Sequence, residues 1–199
     1  MKPTRFLAAT LLSLALAPAA QAAVLYSNDF ETGSTAGFAP GATIITAPNA
    51  AVDEQFLGPL SVGAGVTLTL DGFAAGQTGF GLAFDLYALN SLDGDGLHCC
   101  GPDRFTLVVN GTTIFDETFA IIPGWQQSFG GPGVPGGTGS DPALTGRLGY
   151  SYWGPDQTYH LAFTGLSADA AGKLVIGFFG MTDQGWSDEG FGVDNVVVT

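Results

Sequence analysis

At 199 residues and a formal net charge of −13, the chain sets 18 acidic side chains against five Lys and Arg. Such a surface repels phosphate backbones and anionic headgroups, which argues against nucleic acid and against electrostatic docking on lipid. Its 31 glycines, sparse charge and two cysteines describe a Gly-turned all-β domain that does not depend on a disulfide framework.

The first 22 residues read as a leader rather than as part of a fold. Lys2 and Arg5 precede an apolar run over residues 6–17, and Ala20-Gln21-Ala22 is a small-x-small cleavage pattern. The run is too short for a permanent bilayer span. The expectation is therefore a secretory signal peptide, cut after Ala22, and an exported chain with no transmembrane segment. Cleavage removes two positive charges and no acid, so the formal charge falls from −13 to −15. Residues 23–199, about 177 in all, suit one domain with a full core.

Residues 24–30 alternate as a first strand, and 43–46 form a short second one. Residues 66–70 have the period-two pattern of a half-buried strand. Residues 80–90 follow, with Phe84, Leu86 and Ala88 on one face. Residues 105–109 and 112–115 flank Asn110-Gly111, both of which tolerate positive φ, so a type I′ hairpin is expected there. Asn110-Gly111-Thr112 also fits a glycosylation sequon, which the turn accounts for better. Residues 123–147, centred on the Gly/Pro run 130–140, read as a loose loop insertion. Strands at 158–163, 173–179 and 191–198 complete the set, with no helix expected after the leader. Short strands and Gly-rich turns imply an antiparallel two-sheet sandwich, jelly-roll-like in topology, with an immunoglobulin-like arrangement second.

The loop over residues 91–104 concentrates the chemistry: three carboxylates, three glycines and the two cysteines. Asp93 and Asp95 are spaced like the first ligands of an EF-hand, but Leu97, His98 and Arg104 then stand where a ligand, a Gly and a Glu are required. A non-helical Ca²⁺ loop using Asp93, Asp95 and Asp103 is one reading, and a solvated turn the other. A second group pairs Asp29 and Glu31 in the first strand with Asp194 in the last, since terminal strands of sandwiches often lie side by side. Carboxylates held that close require a cation or a proton, whereas separated ones are simply exposed acids. Cys99-Cys100 reads as a vicinal disulfide, as free thiols or as a bridge to another chain, and an oxidising compartment favours the first. With His98 they make a poor zinc set, because consecutive residues converge badly on one tetrahedral ion.

Trp125, Trp153 and Trp186, with Tyr152, all stand in Gly/Pro-rich contexts. Loop tryptophans offer flat faces to sugar rings; their more ordinary role is to cap the core. No Gly-x-Ser-x-Gly elbow and no His-Glu-x-x-His occurs, and no carboxylate pair is singled out for glycoside hydrolysis, so no catalytic set is legible.

Several stretches taken in order resemble a group of secreted bacterial β-sandwich proteins, many carrying a C-terminal exosortase sorting signal of the PEP-CTERM type. They are Gln55-Phe56-Leu57-Gly58-Pro59, Val66-Thr67-Leu68-Thr69-Leu70, Phe84-Asp85-Leu86-Tyr87, Asn90-Ser91-Leu92-Asp93-Gly94-Asp95-Gly96, Gly101-Pro102-Asp103-Arg104, Asn110-Gly111 and residues 186–196. Leu92 departs from the Trp usual in that group. The sorting tail would begin where the sequence ends at Thr199, which implies either a released member or a longer chain. The resemblance implies a surface or matrix location more than a reaction. The expectation is an exported, non-catalytic protein that binds extracellular polysaccharide or surface components and is stabilised by structural Ca²⁺. A surface building block without a small ligand comes second, and a glycan-active hydrolase third.

Overall fold

The computed structural model describes residues 23–39 and 41–199; the leader expected over residues 1–22 lies outside the described residues. The elements are β1 (Tyr26–Asn28), β2 (Ile44–Thr46), β3 (Gln55–Leu60), β4 (Ala64–Leu70), β5 (Thr78–Asn90) and β6 (Arg104–Val109). They continue with β7 (Thr112–Thr118), β8 (Gln126–Gln127), β9 (Val134–Pro135), β10 (Gln157–Ser167), β11 (Leu174–Met181) and β12 (Glu189–Val198). No helix occurs among the described residues.

One sheet runs β10-β5-β12-β3-β2, with β1 continuing along β12, and the facing sheet runs β4-β11-β6-β7. Every pairing is antiparallel, so the protein is a jelly-roll-like β-sandwich. The core between the sheets follows from period-two patterning. Phe80, Leu82, Phe84, Leu86 and Ala88 point inward from β5 to meet Phe105 and Leu107 of β6 and Ile176 and Phe178 of β11. A register shift in β12 between Asp194 and Val197, with Asn195 at φ 50°, changes the phase of that strand. Val193 and Val196 are thereby both buried, while Asp194 lies on the outer side of the sheet.

Two expectations change. The first strand stops at Asn28, because the Asn28 side chain accepts the Phe30 N–H at 2.9 Å and Phe30 turns to φ 56°. Strand β3, which its interior Pro59 disguises, pairs with β2 only as far as Leu57, before the residue that lacks an N–H. The expected hairpin is present: Asn110 and Gly111 have φ 48° and 78°, and Val109 pairs with Thr112. The Asn110 amide also donates to the Ser167 carbonyl at 2.7 Å, so the sequon's side chain is used inside the fold.

The outer face of the β5 sheet is also covered. Tyr87 and Leu89 pack there with Phe56, Ala47 and Leu148 in a second small core. The covering loop is held by Asp156, a fully buried carboxylate that accepts the N–H groups of Leu148, Gly149 and Tyr150. Burial pushes its carboxyl above the ordinary range, and those three bonds pull it back.

The Gly/Pro-rich segment 123–147 is stitched down rather than loose. Buried Gln127 accepts from the Ala120 and Gly137 N–H groups and donates to the Phe129 and Thr138 carbonyls, and Phe129 packs against the main core. The loop that leaves β5 lies against this segment. The Asp95 N–H donates to the Gln126 carbonyl at 2.9 Å, and Gly94 sits at φ 78° where a Cβ would fall 1.9 Å from that carbonyl oxygen. Gly94→Ala is accordingly expected to lower the melting temperature by about 5 °C or more, through both the backbone conformation and the clash. A thermal melt matching that of the wild type would show that the two segments are not in contact.

Candidate functional site

The loop that follows β5 folds back on itself. The Asp103 carboxylate accepts the Asp93 N–H, and the Asp103 N–H donates to the Gly94 carbonyl at 2.9 Å. Closing the loop this way brings Asp93 and Asp103 together at the base, Asp103 fully buried and Asp93 nearly so. The two then meet two acids that did not stand out in the sequence. Glu189 opens β12 directly across from Asn90, and Asp183 lies in the turn between β11 and β12. Asp93, Asp183 and Glu189 offer oxygens within 4.8 Å of one another. Asp95 does not join them: its carboxylate accepts the Leu97 N–H at 3.1 Å within its own turn.

Electrostatically the cluster is expensive. Burial, then the neighbouring Asp103 charge, pushes the Glu189 carboxyl up to about 10. Burial raises Asp103 to about 6 against the lowering effect of its bond from Asp93, and it raises Asp93 as well. Oδ1 of Asp103 and Oε1 of Glu189 are buried without a hydrogen-bond partner.

Above this cluster lies a cavity of about 380 Å³ lined by Ser91, Asp93, Cys99, Cys100, Ile122, Trp125, Trp153, Gln184 and Asp188. Cys99 and Cys100 form a vicinal disulfide that makes an apolar part of its wall. Trp125 stacks on His98 with ring centroids 5.0 Å apart and planes 12° apart, which fixes the indole's orientation. Trp153 and its neighbour Tyr152 are each 64 % exposed, far more than a core cap would be. Trp186 is different: it packs edge-on to Tyr150 at 5.8 Å in the outer small core. Two of the three tryptophans therefore share one cavity and the third caps packing. Ser91 fixes the polar rim, its hydroxyl donating to the Asp188 carboxylate at 2.7 Å.

The terminal-strand acids separate. Asp29 is exposed and lines an open groove of about 410 Å³ with Asn28, Thr32, Ser34 and Asn195. Glu31 and Asp194 instead converge with Glu54, their oxygens within 4.8 Å. Here the partners are internal. Arg147 pairs with Glu54, Glu31 accepts the Gln55 N–H at 3.0 Å, and the Tyr87 hydroxyl lies 3.0 Å from Glu54 and 2.8 Å from Asp194. A phenol has one proton to give, so both contacts are satisfied only when a carboxyl supplies a second. Burial raises the Asp194 carboxyl to about 8, which makes it the proton carrier.

No protein-family model and no curated protein matches the chain. Solved structures similar to it include a family 35 carbohydrate binding module from Clostridium thermocellum, 12% identical over 89% of this chain and 98% of that one, with a TM-score of 0.42. TmCBM61, solved with β-1,4-galactotriose, is 10% identical over 86% of this chain and 94% of that one, at 0.40. Latent PorU from Porphyromonas gingivalis is 14% identical over 69% of this chain, which spans 10% of the PorU chain, at 0.39. Likenesses this weak carry no argument, and the architecture rests on the strand pairing described above.

Asp194 also yields a pH dependence of definite sign. Its carboxyl lies above its ordinary value of 3.8 when folded, so its contribution to stability is complete below that pH and is lost progressively until about pH 8. Thermal melts at pH 5, 6, 7 and 8 in chelator are expected to fall less steeply with pH for Asp194→Asn than for the wild type. Parallel curves would place the proton elsewhere.

Proposed function

We propose that the protein is an exported glycan-binding module whose ligand lies in the cavity beside the Cys99–Cys100 disulfide. One observation carries this reading: two indoles and an array of hydroxyl, amide and carboxylate groups converge on a single concave surface. Sugar rings present apolar C–H faces and a periphery of hydroxyls, and they are held by aromatic faces together with fixed polar groups. Trp125 and Trp153 supply the faces. Ser91, Gln184 and Asp188 supply hydrogen-bonding groups along the cavity wall, and the nearly buried Asp93 lies at its floor. The strongly acidic chain favours a neutral or cationic sugar over an acidic one. Export is supported by the leader pattern of residues 1–22 and by a disulfide, a bond that persists in oxidising compartments.

A glycan array followed by calorimetry on the best polysaccharide tests the reading. Trp153→Ala is expected to weaken binding at least tenfold with little change in melting temperature, because the ring is mostly exposed. Trp186→Ala is expected to do the opposite, lowering the melting temperature by several degrees while leaving affinity within about twofold. Binding to no glycan on the array, or equal affinity in Trp153→Ala and the wild type, would sink the assignment.

The disulfide permits a separate check. A bridge between adjacent residues closes almost no loop, so it constrains the unfolded chain little. Cys99→Ser with Cys100→Ser should therefore move the melting temperature by only about 2 °C or less, yet reduce glycan affinity by altering the cavity wall. A variant that binds as tightly as the wild type removes the disulfide from the site.

A further inference from the structure

The geometry points to a divalent-cation site, of the calcium type, formed by Asp93, Asp103, Asp183 and Glu189 beneath the cavity. Three separate segments deliver these side chains: the loop after β5, the turn after β11 and the first residue of β12. Oxygens of Asp93, Asp183 and Glu189 lie within 4.8 Å of one another, close enough for one ion to touch all three. Asp103, also fully buried, lies within hydrogen-bonding reach of the Glu189 carboxyl.

The proximity of acids alone would not require an ion. The unsatisfied atoms are a second, separate sign of one. Asp103 uses Oδ2 to accept the Asp93 N–H, and Glu189 uses Oε2 to accept the Gln184 N–H at 3.1 Å. Their remaining oxygens, Oδ1 and Oε1, have no partner although both residues are 0 % exposed. A buried carboxylate oxygen without a donor is costly, and two in one cluster call for a proton shared between them or for a bound cation. Among the described residues no ion pair reaches the cluster: Arg104 is paired with Asp116, Arg147 with Glu54, and His160 with Asp85 and Asp141.

The donor set also selects the ion. Every ligand is a carboxylate oxygen, which suits a hard cation. The Cys99 and Cys100 sulfurs lie near Asp93, but they are bonded to each other and present no thiolate to a soft metal. The contrast with the second acidic cluster is direct. There Arg147, the Tyr87 hydroxyl and a proton on Asp194 satisfy the carboxylates, and no buried oxygen is left without a partner.

Equilibrium dialysis against calcium chloride with elemental analysis tests the site without reference to any glycan. The wild type is expected to bind one calcium per chain, and the double variant Asp103→Asn with Glu189→Gln none. Both replacements keep shape and remove charge, so in chelator the double variant is expected to melt no lower than the wild type. Calcium at a hundred times its dissociation constant should raise the wild-type melting temperature by roughly 5–10 °C and leave the double variant unmoved. Asp194→Asn, in the other cluster, should retain the full stoichiometry.

Calcium absent from the wild type, or retained by the double variant, overturns the proposal and leaves a proton-sharing carboxyl pair in its place. Should the double variant fail to fold, the exposed Asp183→Asn decides: calcium affinity falls at least tenfold, or the site is wrong. Because the readout is bound calcium, a failed glycan array does not bear on it.

Discussion

The antiparallel pairing of β5 with β12 governs both acidic centres. Its register sets Glu189 opposite Asn90 and Asp194 opposite Asp85. The loop carrying Asp93 and Asp103 departs from β5 just beyond Asn90, so the first residue of β12 is placed at the base of that loop. Five residues further on, the same strand presents Asp194 to the outer face, where Tyr87 of β5 reaches it. Strand side chains alternate, so a slip of one residue would drive Phe191 and Val193 out of the core as it dispersed both clusters. Core burial and site assembly are thus one constraint, and the apolar side of the strand pair enforces the polar one.

Two glycines in β12 let the outer face close. A Cβ at Gly192 would lie 2.4 Å from the Phe56 ring, and one at Gly190 would lie 2.5 Å from Trp186. The rings occupy the space that side chains would otherwise fill. That packing, with Leu148 and Tyr150 laid over it, lowers the dielectric around Glu54 and Asp194 and makes a shared proton favourable. The two centres have similar acids and different chemistry. One is satisfied from within by Arg147, the Tyr87 hydroxyl and a proton on Asp194; the other retains two orphaned oxygens.

Much of the architecture was legible in local pattern. Alternation marked β4 and β5, and Asn110-Gly111 marked the hairpin of β6 and β7, because side-chain period and positive φ are properties of neighbouring residues. Strand β3 was hidden by Pro59, whose tolerance depends on where β2 stops pairing. The segment 123–147 looked loose because its Gly and Pro content is that of a flexible loop. The buried amide of Gln127, which ties it down, bonds Thr138 eleven positions away and Tyr159 thirty-two away. At the site, Asp93 and Asp103 were visible as loop acids, whereas Asp183 and Glu189 belong to a segment some eighty residues later. The acidic run Asp188-Glu189 at the head of the last strand was the available sign.

The sequence by itself determined the class: an acidic, all-β chain with a leader-like start, a Gly-turned sandwich and one loop rich in carboxylates beside adjacent cysteines. These follow from composition and from contacts within a few residues. Which acids share a site was decided only by tertiary structure, through the register of β5 against β12. So was the division of the tryptophans, two facing the cavity beside the disulfide and one packed under Tyr150. The reason is physical. Spacing along a chain reports which side of a strand a residue occupies, but burial and charge compensation depend on what the rest of the fold brings against it.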